Sequence, residues 1–106
     1  MIARVWKCIA TNEHVADYVE HFEHSVSTEL NAIDGYRGAQ ILRYSINNNV
    51  ELTVMHYWDS MDVIHKFAGE NVELAVVASR AQEVLVSFDT TVTHYEVILD
   101  AQPKHS

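Results

Sequence analysis

The stretch "YRGAQILRYSINNNVELTVMHYWDS", residues 36 to 60, decides the fold. Two runs rich in β-branched and aromatic residues flank the asparagines at 47–49, a residue type that tolerates the positive φ a tight hairpin demands. Residues 36–46 therefore read as a strand and residues 50–58 as its antiparallel return. Asp59 or Ser60 then offers the N-cap of a short helix running through Ile64 and Phe67, with Gly69 as its left-handed stop.

Working outward toward the N-terminus, Gly35 ends a long amphipathic helix. Its stripe is Val15, Tyr18, Val19, Phe22, Val26, Leu30 and Ile33, spaced by threes and fours, and Thr11 or Asn12 supplies its cap. Before it, residues 2–10 alternate with a period of two, Ile2, Arg4, Trp6 and Cys8 against Ala3, Val5, Lys7 and Ile9, which predicts a strand. Toward the C-terminus, Asn71 opens a further helical stretch in which Ser79 and Gln82 have capping-box spacing, so a break into two helices is expected near Ser79. "TTVTHYEVIL" closes as a last strand. The order is β-α-β-β-α-β: an α+β, ferredoxin-like domain with a four-stranded antiparallel sheet and its helices on one face.

That domain spans residues 1–100, with a tail over 101–106. A chain of 106 residues has room for one modest core. Its composition, 48% hydrophobic and 21% charged, is that of an ordered globular protein. The formal charge of -8 repels phosphate backbones and anionic lipid, which excludes nucleic acid and membrane as partners. One cysteine, Cys8, forms no internal disulfide, and neither a secretory h-region nor a spanning run is present, so a cytoplasmic location is expected. The strands carry apolar residues on both sides. Leu52, Val54, His56 and Trp58 oppose Thr53, Met55 and Tyr57, and Leu42, Tyr44 and Ile46 oppose Ala39, Ile41 and Arg43. A sheet apolar on both faces in so small a domain predicts sheet-to-sheet packing with a second copy, a homodimer.

Seven histidines raise the question of a metal. His14, His21 and His24 share a helix face with Asp17, Glu20 and Glu23 and read as a solvated face; no ligand spacing accompanies them, so no metal is expected. His65, beside Lys66, also reads as a surface residue. His56 and His94 differ because each interrupts a strand among apolar neighbours. An imidazole there is either a general base or a hydrogen-bonded interface residue, paired with Glu96 or Glu51. Arg4, Arg37 and Arg43 lie on strands, where a cation reaches solvent or meets an anion. Trp6 and Trp58 suit a core or the walls of an aromatic pocket.

Over nearly its whole length the chain resembles the antibiotic biosynthesis monooxygenase domain family. The likeness lies in "MIARVWK" at the start, "DGYRGAQILR" entering the second strand, "YWDSMDVIHKFAGENVELAVV" through the middle and "FDTTVTHYEVI" at the end. The resemblance implies two copies packing their sheets into a dimeric α/β barrel, with a mainly apolar pocket in each subunit. Among its relatives are enzymes that oxygenate phenols or quinols without metal or flavin, so no cofactor is expected. Such a substrate, once deprotonated, is itself the reductant of oxygen; the protein need only bind the ring, take a proton and exclude water. Haem-degrading relatives resemble one another in an Asn on the first strand, a Trp on the short helix and a His beyond it. Those positions fall here at Trp6 or Lys7, at Phe67 and near Val77. None matches, and haem oxygenation is set aside.

The expected function is a cofactor-independent monooxygenase acting on a small aromatic or quinol-like substrate. His56 and His94 are the candidate bases, Trp6, Trp58 and Phe67 the candidate pocket walls, and Arg4 and Arg43 the candidate anion partners. Two alternatives share the scaffold: a non-catalytic dimeric binding or stress-response module, and an isomerase or cyclase that needs the base but not oxygen.

Overall fold

A long strand opens the chain because alternation persists over ten residues: β1, Ile2–Thr11. A computed structural model describes residues 1–103, and the last three positions of the expected tail lie outside the described residues. After β1 comes one helical rod. A 3-10 turn, Asn12–His14, leads into α1, Val15–His21; a single π turn, Phe22–Val26, follows, and α2, Ser27–Asn31, completes it. No side chain caps its start, so the expected cap from Thr11 or Asn12 is replaced by the tight 3-10 entry.

The hairpin forms as its sequence predicts. β2, Tyr36–Ile46, and β3, Asn49–Trp58, pair antiparallel around Asn47, whose φ is 55°. α3, Met61–Ala68, is capped by Ser60, whose hydroxyl accepts from the Val63 amide at 3.4 Å. Asp59 instead takes Arg37 in a two-pronged contact of 2.5 and 3.0 Å. Gly69 stops the helix at φ 83°. Gly35, at φ 95°, is required twice over: a Cβ there would come within 2.8 Å of the Val63 side chain.

Two expectations are corrected downstream. The helix expected from Asn71 does not form. Residues 69–78 run as an irregular strap, and only α4, Ser79–Val84, is helical. The reason lies in where the strap's backbone groups go. Ala75 N–H donates to Thr90 O at 2.9 Å, Glu73 O accepts from Val92 N–H at 2.8 Å, and Leu74 bridges Thr91. The sheet, moreover, has five strands rather than four. β4, Leu85–Phe88, pairs with the Cys8–Ala10 end of β1, while β5, Thr93–Glu96, pairs with its Ile2–Val5 end. The last edge is therefore one broken strand interrupted at 89–92, where Asp89 O accepts from the Trp6 indole at 2.6 Å. The strand order, β2-β3-β1-β4 with β5 also against β1, is the α+β, ferredoxin-like arrangement.

The core lies between the helices and one sheet face. Cys8, Leu52, Val54 and Trp58 meet Tyr18, Phe22, Leu30 and Ile64 there, all buried. The opposite face carries no helix and leaves Leu42, Tyr44, Ile46 and Tyr95 between 43% and 65% exposed. Among the described residues no helix is long and apolar enough to cross a membrane.

Candidate active site

One row of three strands builds the site. Arg4 on β1 lies opposite His56 on β3 and opposite His94 on β5. Directly paired residues of antiparallel strands project to the same face, with Cβ atoms about 4.5–5.5 Å apart. The row His56–Arg4–His94 thus sits on the helix face, not on the open face where an interface histidine belongs. Neither imidazole pairs with Glu51 or Glu96.

Above this row is a small apolar cavity of about 40 Å³. The sheet supplies Arg4, Trp6, Val54 and His56 to its floor. The helical rod supplies Phe22 and Val26, the two ends of the π turn, and α3 supplies Phe67. Ala75 and Val76 of the strap, with Val92, close it. A single π turn widens a helix and turns its side chains locally, and such turns recur at functional sites.

His56 is boxed in aromatic rings: Phe22 at 5.7 Å and Tyr36, Trp58 and Phe67 each at 6.4 Å between centroids. Both of its ring nitrogens are buried and neither has a hydrogen-bond partner. Burial away from water, reinforced by the neighbouring Arg4 charge, pushes its pKa down to about 4. At neutral pH it is therefore an uncharged imidazole with one lone pair and one N–H unspent beside the cavity.

Arg4 is 3% exposed. Its Nη1 donates to Val72 O at 2.6 Å and to His94 Nε2 at 3.0 Å, and its Nη2 donates to Leu74 O at 2.9 Å. The guanidinium also stands 5.7 Å from the centroid of the Phe67 ring. Desolvation lowers its pKa to about 10, so it stays cationic at neutral pH. Because arginine only donates, His94 must present a lone pair at Nε2 and carry its proton on Nδ1. Burial, then the Arg4 charge, depresses the His94 pKa as well.

The structure thus brings six of the seven expected site residues into contact with the cavity or with its lining: Arg4, Trp6, His56 and Phe67 directly, His94 through Arg4 and Trp58 through Phe67. Trp58 is fully buried and stacks on Phe67 at 5.3 Å, backing the wall without forming it. Arg43 is exposed on β2 and lies outside the site. His21 departs from its expected place on a solvated face, since both of its ring nitrogens are buried without partners. His65 is exposed as expected, with Nδ1 3.2 Å from Gly69 O.

Sequence reading did not assign Phe22, Val26, Ala75, Val76 or Val92 to the site. Phe22 and Val26 stand out only as members of an apolar stripe. The strap residues are placed by contacts some 70 positions away in the chain. A larger groove of about 380 Å³ lies beside Asp17, Glu20, His21, His24 and Arg80. Its walls are mostly polar, so it lacks the water exclusion that would sharpen an acid or base.

No protein-family profile matches the chain, and no curated protein matches it. Solved structures do. A candidate antibiotic biosynthesis monooxygenase from Bacillus cereus superposes with a TM-score of 0.70 over 99% of this chain and 98% of that one, at 14% identity. A counterpart from Deinococcus radiodurans gives 0.62 over 99% and 100%, at 14% identity. A mutant of MhuD, the haem-degrader of Mycobacterium tuberculosis, seen with two manganese protoporphyrin IX molecules per active site, gives 0.67 over 97% and 100%, at 20% identity. At these identities the likeness is one of fold.

Proposed function

We propose, from the premise that this chain has the fold of the antibiotic biosynthesis monooxygenase-type proteins, that it is a cofactor-independent oxygenase of a small aromatic enol or phenol. The observation that supports this most is His56, a neutral imidazole with two unpartnered nitrogens beside an aromatic-lined cavity. An unsatisfied buried polar group costs on the order of 1–3 kcal/mol, and of those among the described residues His56 is the one that lines the aromatic cavity.

In the proposed reaction His56 accepts a proton from an activated methylene or hydroxyl of the substrate. The resulting enolate delivers electrons to dioxygen. For a methylene, one oxygen atom becomes the new carbonyl and the other leaves as water with the two hydrogens, so atoms and electrons balance without a further reductant. A base near pKa 4 is weak alone. Arg4, whose charge adds to burial in lowering it, also stabilises the enolate oxygen, and the enolate charge in turn offsets the Arg4 part of that depression. His94, whose Nε2 lone pair is engaged by Arg4, is a positioning residue here.

A haem reaction has no support from these residues. Val77 offers no metal donor, and Phe67 and either Trp6 or Lys7 fall at the positions where the haem-degrading relatives resemble one another in Trp and Asn. The cavity's small volume, about 40 Å³, favours a second reading, a non-catalytic module whose pocket is filled by its own side chains. Oxygen uptake separates the two. With a panel of hydroquinones and anthrones, we expect one dioxygen consumed per anthrone and the quinone as product, and a fall of at least 100-fold in His56→Phe. No uptake with any member would overturn the oxygenase reading for these substrates, and turnover under anaerobic conditions would replace it with an isomerase or cyclase.

A further inference from the structure

Among the described residues, Arg4 is a buried cation without a counter-anion. The ion pairs among the described residues are Lys7 with Glu51 and Arg37 with Asp59, and neither involves it. The acids on the adjoining strap, Glu70 and Glu73, are exposed and make no ion pair with it. Taking a guanidinium out of water is costly unless its donors and its charge are met. Three of its five N–H groups are met by two carbonyls and an imidazole, all neutral. Nε–H and one Nη2 hydrogen remain, on the residue that forms part of the cavity floor. In a chain of net charge -8 this is an isolated positive point, dry and aimed at an apolar space.

The two carbonyls belong to the strap. Val72 and Leu74 bracket the segment that supplies Ala75 and Val76 to the cavity roof. Beyond Arg4, the strap is tied down by the two backbone bonds to Thr90 and Val92 and the one bridge to Thr91. Leu74 and Val76 are about half exposed, so apolar burial holds the strap mainly through Val72 and Val77, which pack against the core. Opening the cavity to an aromatic ring therefore also releases the two guanidinium hydrogens held by the strap carbonyls, beside the two already free.

We propose that the site takes an aromatic ligand bearing an anionic oxygen, a carboxylate or acidic enol, which binds Arg4 in place of the Val72 and Leu74 carbonyls and unlatches the 70–76 strap. A carboxylate or enolate accepts charge-assisted hydrogen bonds roughly twice as strong as those from a neutral carbonyl. The exchange thus supplies the free energy of opening and selects ligands that carry the charge. The inference rests on the aromatic pocket of the proposed function, but it concerns binding alone.

The test uses a redox-inert pair, 2-naphthoate and its neutral isostere 2-naphthamide, titrated calorimetrically into the whole protein at low ionic strength. The expected result is naphthoate affinity at least tenfold above naphthamide, falling to parity in Arg4→Met and partly retained in Arg4→Lys. Saturation with naphthoate should speed hydrogen exchange at the Ala75 and Val92 amides severalfold. Equal affinities in the wild-type protein, or saturable naphthoate binding with both amides unchanged, would overturn the proposal. The wild-type comparison decides the matter even if Arg4→Met does not fold. A naphthoate preference without oxygen uptake on any phenol keeps this site and removes the oxygenase; uptake with equal naphthyl affinities does the reverse.

Discussion

His56 ties the stability of the protein to its chemistry. Its imidazole is held near pKa 4, while an unfolded chain titrates near 6.5. Between those values the unfolded state binds more protons, so stability rises with pH through this window and is lost as pH falls from about 6.5 toward 4. The full difference corresponds to about 3 kcal/mol, and the depressed His94 adds in the same direction. Urea denaturation of His56→Gln should show a distinctly flatter pH profile over that window, and an unchanged slope would mean that the ring is solvated. The residue was visible in sequence as a histidine interrupting an apolar strand. Arg4 was visible only as a cation on a strand, because its partners Val72, Leu74 and His94 are set by the fold and by register. The role of His94 follows from its place opposite Arg4, which no local pattern encodes.

Elements whose signals are local were legible. Alternation marked β1, the asparagines marked the β2–β3 turn, and Ser60 with Gly69 bounded α3. Ser60→Ala should therefore cost about 1 kcal/mol in thermal or urea unfolding, since it removes the cap on the Val63 amide and leaves an orphan donor. The strap was not legible. "LAVVA" is a short apolar run that suits helix or strand equally, and bonds to residues 90–92 and to Arg4 decide between them. The π turn at Phe22–Val26 lies in an uninterrupted helical pattern, which carries no mark for one extra residue per turn. Both misread elements line the cavity. Local pattern failed where tertiary contacts shape the pocket, which is where a functional site is expected to depart from local rules.

At the scale of the molecule, the sheet's open face carries the largest consequence. Leu42, Tyr44, Ile46 and Tyr95 stand exposed there, an apolar set interspersed with polar residues such as Lys7, Gln40, Glu51 and Thr53. We expect a particle of twice the 12.1 kDa chain mass by light scattering, reduced to the monomer by Leu42→Glu combined with Tyr44→Glu. A stable wild-type monomer would contradict the face-to-face argument. Whichever state is found, each chain holds its own Arg4–His56 row, so the proposed chemistry is tested on the pocket itself. The most direct measurement is an anaerobic absorbance titration of the protein with an anthrone at neutral pH. The account predicts the red-shifted band of the enolate on the wild-type protein and its absence on a folded His56→Phe. Saturable binding that leaves the spectrum of the neutral anthrone unchanged would contradict it.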